Sequence, residues 1–531
     1  MQNIMPTGLH AMVTSPHYLA SHVGSLILKR GGSAFDAAVA VSAALGVVYP
    51  HMTGLGGDAF FMLYDAKEGT LHGYNGSGRS GRQLRPEIYT SAGETAIPLR
   101  GIRSAITVPG MVDTWWEVWR RGGKLPWEEL LEPAAEYAEK GFPISRNLHY
   151  WMIKNETDLR ACAPLESIYF ADGKLLSEGD RLLQPDLARA LRELQTGGRD
   201  AFYKGSIMKR IIAGMQADGG LLTEEDFTTH SGEWVKPVSV TYRGYEIHQM
   251  PPNSQGFTAL MMMNILENED LSQIPRNSAA FYHLIVETVK KAFRDRDRYL
   301  TDPDFAHIPL ERLLSKSYAK HLYDEIDQQF PRPASFLSSA MGQDTAYAAV
   351  TDEEGNAVSF IQSLYFDFGS AYSPGDSGII MQNRGSFFSL NTSDPNVLAP
   401  GKRSFHTLMP GMITRGGKPY ALVGTQGGEG QPQTTLSVLT GLLDYGCTIQ
   451  EALALPRWVY GRTWGEDSDA IKLENRDMLD IAAQLREWGH EVELVGAWDG
   501  IMGQSQGIVI GENGVISGAA DPRGDGMAIG W

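Results

Sequence analysis

Cysteine is nearly missing from this chain: Cys162 and Cys447 are the two in 531 residues. They stand far apart in unlike contexts, which excludes a disulfide framework and a CxxC metal or redox site. Positive charge is also short. Lys and Arg number 46 against 63 Asp and Glu, and the net charge of −17 repels a phosphate backbone with no basic run to reverse it, so nucleic acid is not an expected partner. No stretch reaches the ~18 consecutive apolar residues of a spanning helix. The opening MQNIMPTGLHAMVTSPHYLA lacks a basic start and a long apolar stretch. These absences lead us to expect a soluble, cytoplasmic protein with no membrane partner, secretion being left open.

Familiar catalytic signatures are missing too. There is no GK[ST] loop, no HExxH or similar spacing among the 13 His, and no G-x-S-x-G elbow, so neither a cofactor nor a metal is expected. GLGGDA (Gly54 to Ala59) formally satisfies a dinucleotide fingerprint, but that site needs a helix next, and FFMLYD reads as extended. Repeats and low-complexity linkers are absent, which weakens the length prior of about three domains.

What is present describes an ordinary globular chain, 42% apolar and 21% charged, neither disordered nor fibrous. Its 59 glycines cluster in RGGSAF, GLGGDAF, ADGGLL and TQGGEG, as tight turns or close backbone approaches require. A helix, a glycine break and a second helix carrying Ala37, Ala38, Ala40, Ala43 and Ala44 open the chain; the small face lets another element pack closely. FFMLYD and TLHGYN read as paired strands, and the middle of the chain reads as helical, with Trp115 and Trp119 in the core. FRDRDRY (Phe293 to Tyr299) alternates sign like a solvated or salt-bridged helix face. Arg79, Arg82 and Arg85 in GRSGRQLR suit loop capping or an anion. After about residue 344 strands take over: hairpins turn at Glu353 to Asn356 and at Asn513-Gly514, and YALVGTQGG is a strand running into glycines. Long helices with late hairpins indicate sheets covered by helices.

What remains after these exclusions is a hydroxyl nucleophile without a conventional triad. In SSAMGQDTAYAAVTDEEGNAVSFIQSLY, Thr345 reads most simply as the first residue of a strand. A threonine hydroxyl attacks poorly unless a base removes its proton, and an N-terminal threonine carries one in its own α-amine, with a pKa of roughly 8. Within an intact chain that nitrogen is an amide. Cutting the Asp344-Thr345 bond would therefore create the catalyst, a cut that composition alone does not reveal.

In order and over nearly its whole length, the chain resembles the gamma-glutamyltransferase family of N-terminal-nucleophile hydrolases. GGSAFDAAVAVSAALGVVYPHMTGLGGDAF, TVPGMVDTWW, KLPWEELLEPAAEYAEKGFPIS, GGRDAFYKG and DGGLLTEEDF are similar to its large subunit; DTAYAAVTDEEGNAVSFIQSLYFDFGS, SPGDSGIIMQN, TQGGEG and AADPRGDG are similar to its small one. The resemblance implies an α/β (α+β) fold, a four-layer αββα sandwich, as one intertwined domain from two processed chains. It implies autocatalytic cleavage into a large chain 1–344 and a small chain 345–531, which pair with each other and can assemble as a homo-oligomer of heterodimers. Thr345 would be the nucleophile, Ser363 a second hydroxyl beside it, and Gly427 and Gly428 the oxyanion hole.

The glutamate-recognising shell departs from the family pattern. The arginine for the α-carboxylate aligns with Asn75, with Arg79 nearby; the acid and amide for the α-amino group align with Phe387 and Arg384, and a neighbouring asparagine with Tyr365; two serines become His406 and Thr407. A zwitterionic glutamyl head loses its partners in such a pocket, since an unpaired buried charge costs several kcal/mol. SFFSLNTSDPNVLAPGKRSFHT is also shorter than the family's equivalent, which implies a missing lid, an open pocket and hydrolysis favoured over transfer. The pattern resembles the gamma-glutamyltransferase-like or cephalosporin acylase-like subgroup. The expected activity is therefore self-processing hydrolysis of a small-molecule amide, by family default a gamma-glutamyl compound such as glutathione. A glutaryl or cephalosporin-type acylase is the rival within enzymes, and an uncleaved, non-catalytic ligand-binding homologue the rival outside them.

Overall fold

Either side of Glu353 to Asn356 the chain forms the expected hairpin, strands Asp344–Thr351 and Ala357–Tyr365, with Val350 opposite Val358 and Ala346 opposite Gln362. Alternation along the first strand sends Ala346, Ala348 and Val350 into one apolar cluster and Tyr347 and Ala349 into another. A strand buried on both faces is a middle layer, and that determines the architecture. The computed structural model describes residues 5–327, 329–332, 344–461 and 468–531, and for Asp344 the backbone alone; residues 338–343 of the stretch that raised the question of Thr345 lie outside them.

Among the described residues the hairpin sits at the centre of a seven-stranded sheet, flanked by Met12–Ser15 and then Met527–Gly530 on one side, and by Asp58–Asp65, Thr70–Asn75 and Glu233–Val235 on the other. A second seven-stranded sheet runs Thr7–Gly8, Ile516–Ala520, Ser505–Ile510, Lys418–Thr425, Gly411–Arg415, Tyr245–Gln249, Val238–Tyr242. Met12, Phe60, Met62, Tyr347, Ile361, Met412, Leu422 and Ile508 fill the space between the two sheets. Helices Tyr18–Lys29, Ala34–Val48, Met111–Gly122 and Trp127–Lys140 cover the first sheet, and Gly256–Leu266, Ala279–Tyr299 and Gln431–Leu443 the second. The result is the αββα sandwich, and both chain ends are woven into it: Met12–Ser15 pairs with Met527–Gly530. Among the described residues no helix is long and apolar enough to cross a membrane.

The alanine-rich helix illustrates how local sequence serves this packing. Ser33 and Asp36 form a capping box at its start, and every residue from Ala34 to Val48 is buried. Its small residues let it lie close between its neighbour Tyr18–Lys29, the helix Trp127–Lys140 and the sheet.

One reading needs correction and one is narrowed. The middle of the chain is not wholly helical, since Glu233–Val235 and Val238–Tyr242 are edge strands of the two sheets and Tyr245–Gln249 lies next to the edge of the second. The last two bury only alternate residues, Val240, Tyr242, Ile247 and Gln249, so their pattern is faint beside the strong helical periods around them. Of the two readings of FRDRDRY, the salt-bridged one holds. Arg296 is fully buried and Asp295 nearly so, the former paired with Asp297 and Glu429, the latter accepting from Tyr318 Oη at 2.7 Å. Trp115 is in the core as expected, while Trp119 is half-buried among Trp116 and Trp127.

Candidate active site

The site is built from the ends of strands. Strand Asp344–Thr351 begins where Ala357–Tyr365 finishes, and the ladder shifts between the pairs Asp344↔Tyr365 and Ala346↔Gln362, leaving Thr345 in an irregular step of the pairing. Such a step re-aims a side chain. Thr345 is fully buried and by alternation lies on the inter-sheet side with Tyr347. Ser363, on the neighbouring strand, is also buried, and its Oγ accepts from the Tyr365 N–H at 2.7 Å. Tyr365 has φ +87°, a strained left-handed conformation for a bulky residue; the turn swings its ring onto Arg384.

From the opposite sheet, strand Lys418–Thr425 runs out into Gly427 and Gly428. Gly424 lets the sheets close here, because a Cβ on it would stand 2.2 Å from the Tyr347 ring. Gly427 has φ +127° and Gly428 φ +50°, a backbone path suited to glycine. Three hydrogen bonds set the peptide planes of this loop. The Gln426 carbonyl accepts from Thr425 Oγ1 at 2.6 Å, the Gly427 carbonyl from the Gly430 N–H at 2.8 Å, and the Gly428 carbonyl from Gln255 Nε2 at 2.9 Å. Since a trans peptide holds its N–H opposite its carbonyl, fixing the first two aims the N–H groups of Gly427 and Gly428. Gln255 is held in turn by Arg296, whose Nη1 donates to Gln255 Oε1 at 3.2 Å and whose Nη2 meets Glu429 at 3.0 Å. Helix Gln431–Leu443 starts directly after this loop, and Gln431 Nε2 donates to Thr345 Oγ1 at 3.3 Å. The strand that carries Thr345 and the segment that follows the glycine loop are thus joined across the two sheets.

Beside Tyr365 lies a cationic and aromatic cluster. The Arg384 guanidinium is buried, 4.2 Å from the Tyr365 ring centre and 5.9 Å from that of Phe387, and Phe387 packs on Tyr365 and Phe405. Its Nη1 donates to Thr407 Oγ1 at 3.2 Å. Nε and Nη2 are buried without a hydrogen-bond partner among the described residues. Burial pushes this guanidinium down to about 10, so it is still a cation at neutral pH.

His406 cannot serve as a second cation. Burial, reinforced by the Arg384 charge, holds it down to about 3. Its Nε2 donates to Asp58 Oδ2 at 3.2 Å and its Nδ1 accepts from the Leu408 N–H at 3.4 Å. Asp58 is fully committed: Oδ1 takes the N–H groups of Gly78 and Gly110 and the Gln382 amide, at 3.0 to 3.1 Å. Replacing Asp58 by Ala strands those buried donors and frees the His406 ring, so we expect a loss of roughly 3 to 5 kcal/mol, read as a lower urea midpoint. An unchanged midpoint would remove Asp58 from this bracing role.

The residues expected to bind substrate do not all gather here. Tyr365, Arg384, Phe387, His406 and Thr407 form one cluster. Asn75 lies behind it, donating to Asn253 Oδ1 at 2.9 Å and accepting from Ser77, while the Asn253 carbonyl takes the His406 N–H at 2.9 Å. Asn75 is therefore a buried strut. Arg79 is engaged elsewhere, with Asp302 at 3.2 Å, Asp304 at 2.8 Å and the Gly401 carbonyl at 3.1 Å. Sequence reading passed over Gln431, Asp58, Gln255 and Arg296. Pro432 immediately after Gln431 was the available signal, since proline favours a helix start and places Gln431 at a helix N-terminus. Asp58 lies in GLGGDAF, which reads as a tight turn, a formal dinucleotide fingerprint and part of a family motif, none of which singles out its carboxylate.

Two sheets between helical layers, with a buried threonine near the start of a central strand, match the architecture of the N-terminal-nucleophile hydrolases. The Gamma-glutamyltranspeptidase family model matches residues 20–531, and the chain belongs to that family of hydrolytic enzymes. It is 53% identical to the glutathione hydrolase-like YwrD proenzyme of Bacillus subtilis, over 98% of this chain and 99% of that one. It is 38% identical to the oxamate amidohydrolase proenzyme of Klebsiella pneumoniae, over 98% of each. Among solved structures, the cephalosporin acylase from Bacillus halodurans superposes with a TM-score of 0.93 at 35% identity, covering 100% of this chain and 97% of that one.

Proposed function

We propose that this protein is a self-processing amidohydrolase whose acyl substrates carry a carboxylate but no α-ammonium. Cleavage before Thr345 yields a large chain 1–344 and a small chain 345–531. The Thr345 hydroxyl then attacks the substrate carbonyl, its freed amine takes the proton, and the N–H groups of Gly427 and Gly428 receive the oxyanion. Losing such a donor typically costs ~3 to 4 kcal/mol of barrier stabilisation. Ser363 lines the strand beside the nucleophile and steadies the Tyr365 turn through its hydroxyl.

The observation that carries the substrate class is Arg384, a buried cation with two unpartnered donor nitrogens and no ion-paired acid among the described residues. A guanidinium desolvated in this way is matched by a substrate carboxylate, which restores both charge balance and hydrogen bonds. Asp58, the acid that meets His406 beside this cluster, already takes four hydrogen bonds, which disfavours an ammonium there. Oxamate, in the name of one relative, bears a carboxylate beside its amide and no ammonium, which supports this reading; glutathione, in the name of another, carries an α-ammonium on its glutamyl group and is the alternative to be tested.

A panel of 4-nitroanilides tests it. We expect kcat/KM for the glutaryl compound to exceed that for the gamma-glutamyl compound by at least about tenfold, with uncharged butyryl lower than glutaryl by a similar factor. Equal or better use of the gamma-glutamyl compound would overturn the assignment. Hydrolysis is proposed to outrun transfer, because the segment after Phe387 is folded on itself: Asn396 Nδ2 donates to the Phe387 carbonyl at 2.8 Å and Asn396 Oδ1 accepts from the Phe405 N–H at 2.9 Å. Adding glycylglycine should raise the rate less than about twofold; a large rise would show efficient transfer.

A further inference from the structure

We infer that Gln431 is a catalytic residue, clamping the hydroxyl and the freed amine of Thr345 with the two ends of its carboxamide. The inference rests on Thr345 being the nucleophile. Gln431 is fully buried. Its Nε2 donates to Thr345 Oγ1 at 3.3 Å, while its Oε1 is buried without a hydrogen-bond partner among the described residues. A buried amide with one end used and the other idle is costly to keep. It becomes intelligible if the missing partner is created by cleavage.

The chemistry supplies that partner. In the intact chain the nitrogen of Thr345 is an amide with one proton; after the bond to Asp344 is cut it is an amine, with two N–H donors when neutral and three when protonated. Threonine carries that nitrogen and Oγ1 on adjacent carbons, so both face the same neighbour in a gauche rotamer. The oxygen and nitrogen of a carboxamide stand about 2.2 Å apart in one plane, which lets one side chain accept from the amine while donating to the hydroxyl oxygen. The donated bond favours negative charge building on Oγ1 as its proton leaves for the amine. The accepted bond uses one amine hydrogen and turns the nitrogen lone pair toward that proton. Gln431 exchanges no proton and forms no covalent bond. Its backbone is held where the glycine loop becomes a helix, so the clamp and the oxyanion hole share one rigid support.

The clamp has a charge signature. The amine must be neutral to act as base, so kcat/KM rises with pH through the pKa of the ammonium form. Gln431→Met removes an acceptor that favours the ammonium, which lowers that pKa and moves the acidic limb to lower pH. Gln431→Glu puts a carboxylate there, raises the pKa and moves the limb upward. The other charged groups at the site, Arg384, Asp58 with His406, and the Arg296–Glu429 pair, are the same in all three proteins.

The experiment measures cleavage rate by intact mass, and kcat, KM and the pH profile of the cleaved enzyme with glutaryl-4-nitroanilide, for the parent, Gln431→Met, Gln431→Glu and Thr345→Ala. We expect Gln431→Met to lower kcat by roughly ten- to a hundredfold with KM within about twofold, and the two Gln431 limbs to move in opposite directions by about half a pH unit or more. If Gln431→Met cleaves too slowly to yield enzyme, a cleavage rate at least tenfold below that of Gln431→Glu supports the contact with Oγ1. Limbs that coincide with the parent's, or kcat values equal to it, overturn the role of Gln431 and leave the nucleophile standing. A Thr345→Ala protein that is cleaved and active would overturn the nucleophile itself.

Discussion

We expect Thr345→Ala to remain one uncut chain and its amidase activity to fall by at least ~10⁴-fold, because the proposed nucleophile of a catalytic unit is removed. Two losses coincide in this variant. In the proposed self-cleavage the Thr345 hydroxyl of the precursor adds to the carbonyl carbon of Asp344; a C–O bond forms, the C–N bond breaks, and the nitrogen leaves as the amine. Water then cleaves the resulting ester, giving a carboxylate at Asp344 and a free hydroxyl and amine on Thr345. Alanine has no oxygen to begin this exchange, so neither the cut nor the catalytic base appears. The fold should survive, because Thr345 is one buried side chain in a strand whose ladder continues to Thr351. Intact mass and a denaturing gel read the outcome, with Thr345 as the first residue of the small fragment in the parent. Efficient splitting of the variant at the same bond would show that another group performs the cut.

Arg384→Met gives the second large effect, selective by substrate. Activity on glutaryl-4-nitroanilide should fall by roughly 10²- to 10³-fold, while activity on the uncharged butyryl compound changes by less than about threefold. Removing the guanidinium leaves a substrate carboxylate in a pocket walled by Tyr365, Phe387 and Phe405, where an unpaired charge costs several kcal/mol. Methionine fills comparable space between the rings, and a buried cation lacking an acid partner is lost with little cost to stability. Arg384→Lys should recover only part of the loss, because an ammonium cannot reproduce the planar fork of donors. A uniform fall on both substrates would instead assign Arg384 to holding the pocket together.

Much of the fold was legible because its signals are local. Ala34–Val48 announces itself through a capping box and an unbroken run of small and apolar residues. Both hairpins carry their turns in sequence, at Glu353 to Asn356 and Asn513-Gly514, and the ladders close on either side of them. Edge strands such as Val238–Tyr242 were not legible, because half their residues face solvent and neighbouring helices dominate the periodicity. The burial of Arg296 was hidden for a related reason. Its alternating neighbours read equally as a solvated or a salt-bridged face, and the partners that make burial tolerable, Gln255 and Glu429, arrive from 41 positions before and 133 after it.

By itself the sequence determined the layered fold, the family and a short set of candidate residues, since hydrophobic period, turn chemistry and ordered motifs are written along the chain. Only the tertiary structure decided what those residues can do. It separated Arg384, buried without an acid partner, from Arg79, which is paired with Asp302 and Asp304, and it turned Asn75 into a strut. It also brought Gln431 across from the opposite sheet onto Thr345. Burial and hydrogen-bond satisfaction depend on which distant segments meet, and at this site those meetings set the charge, the donors and the available space.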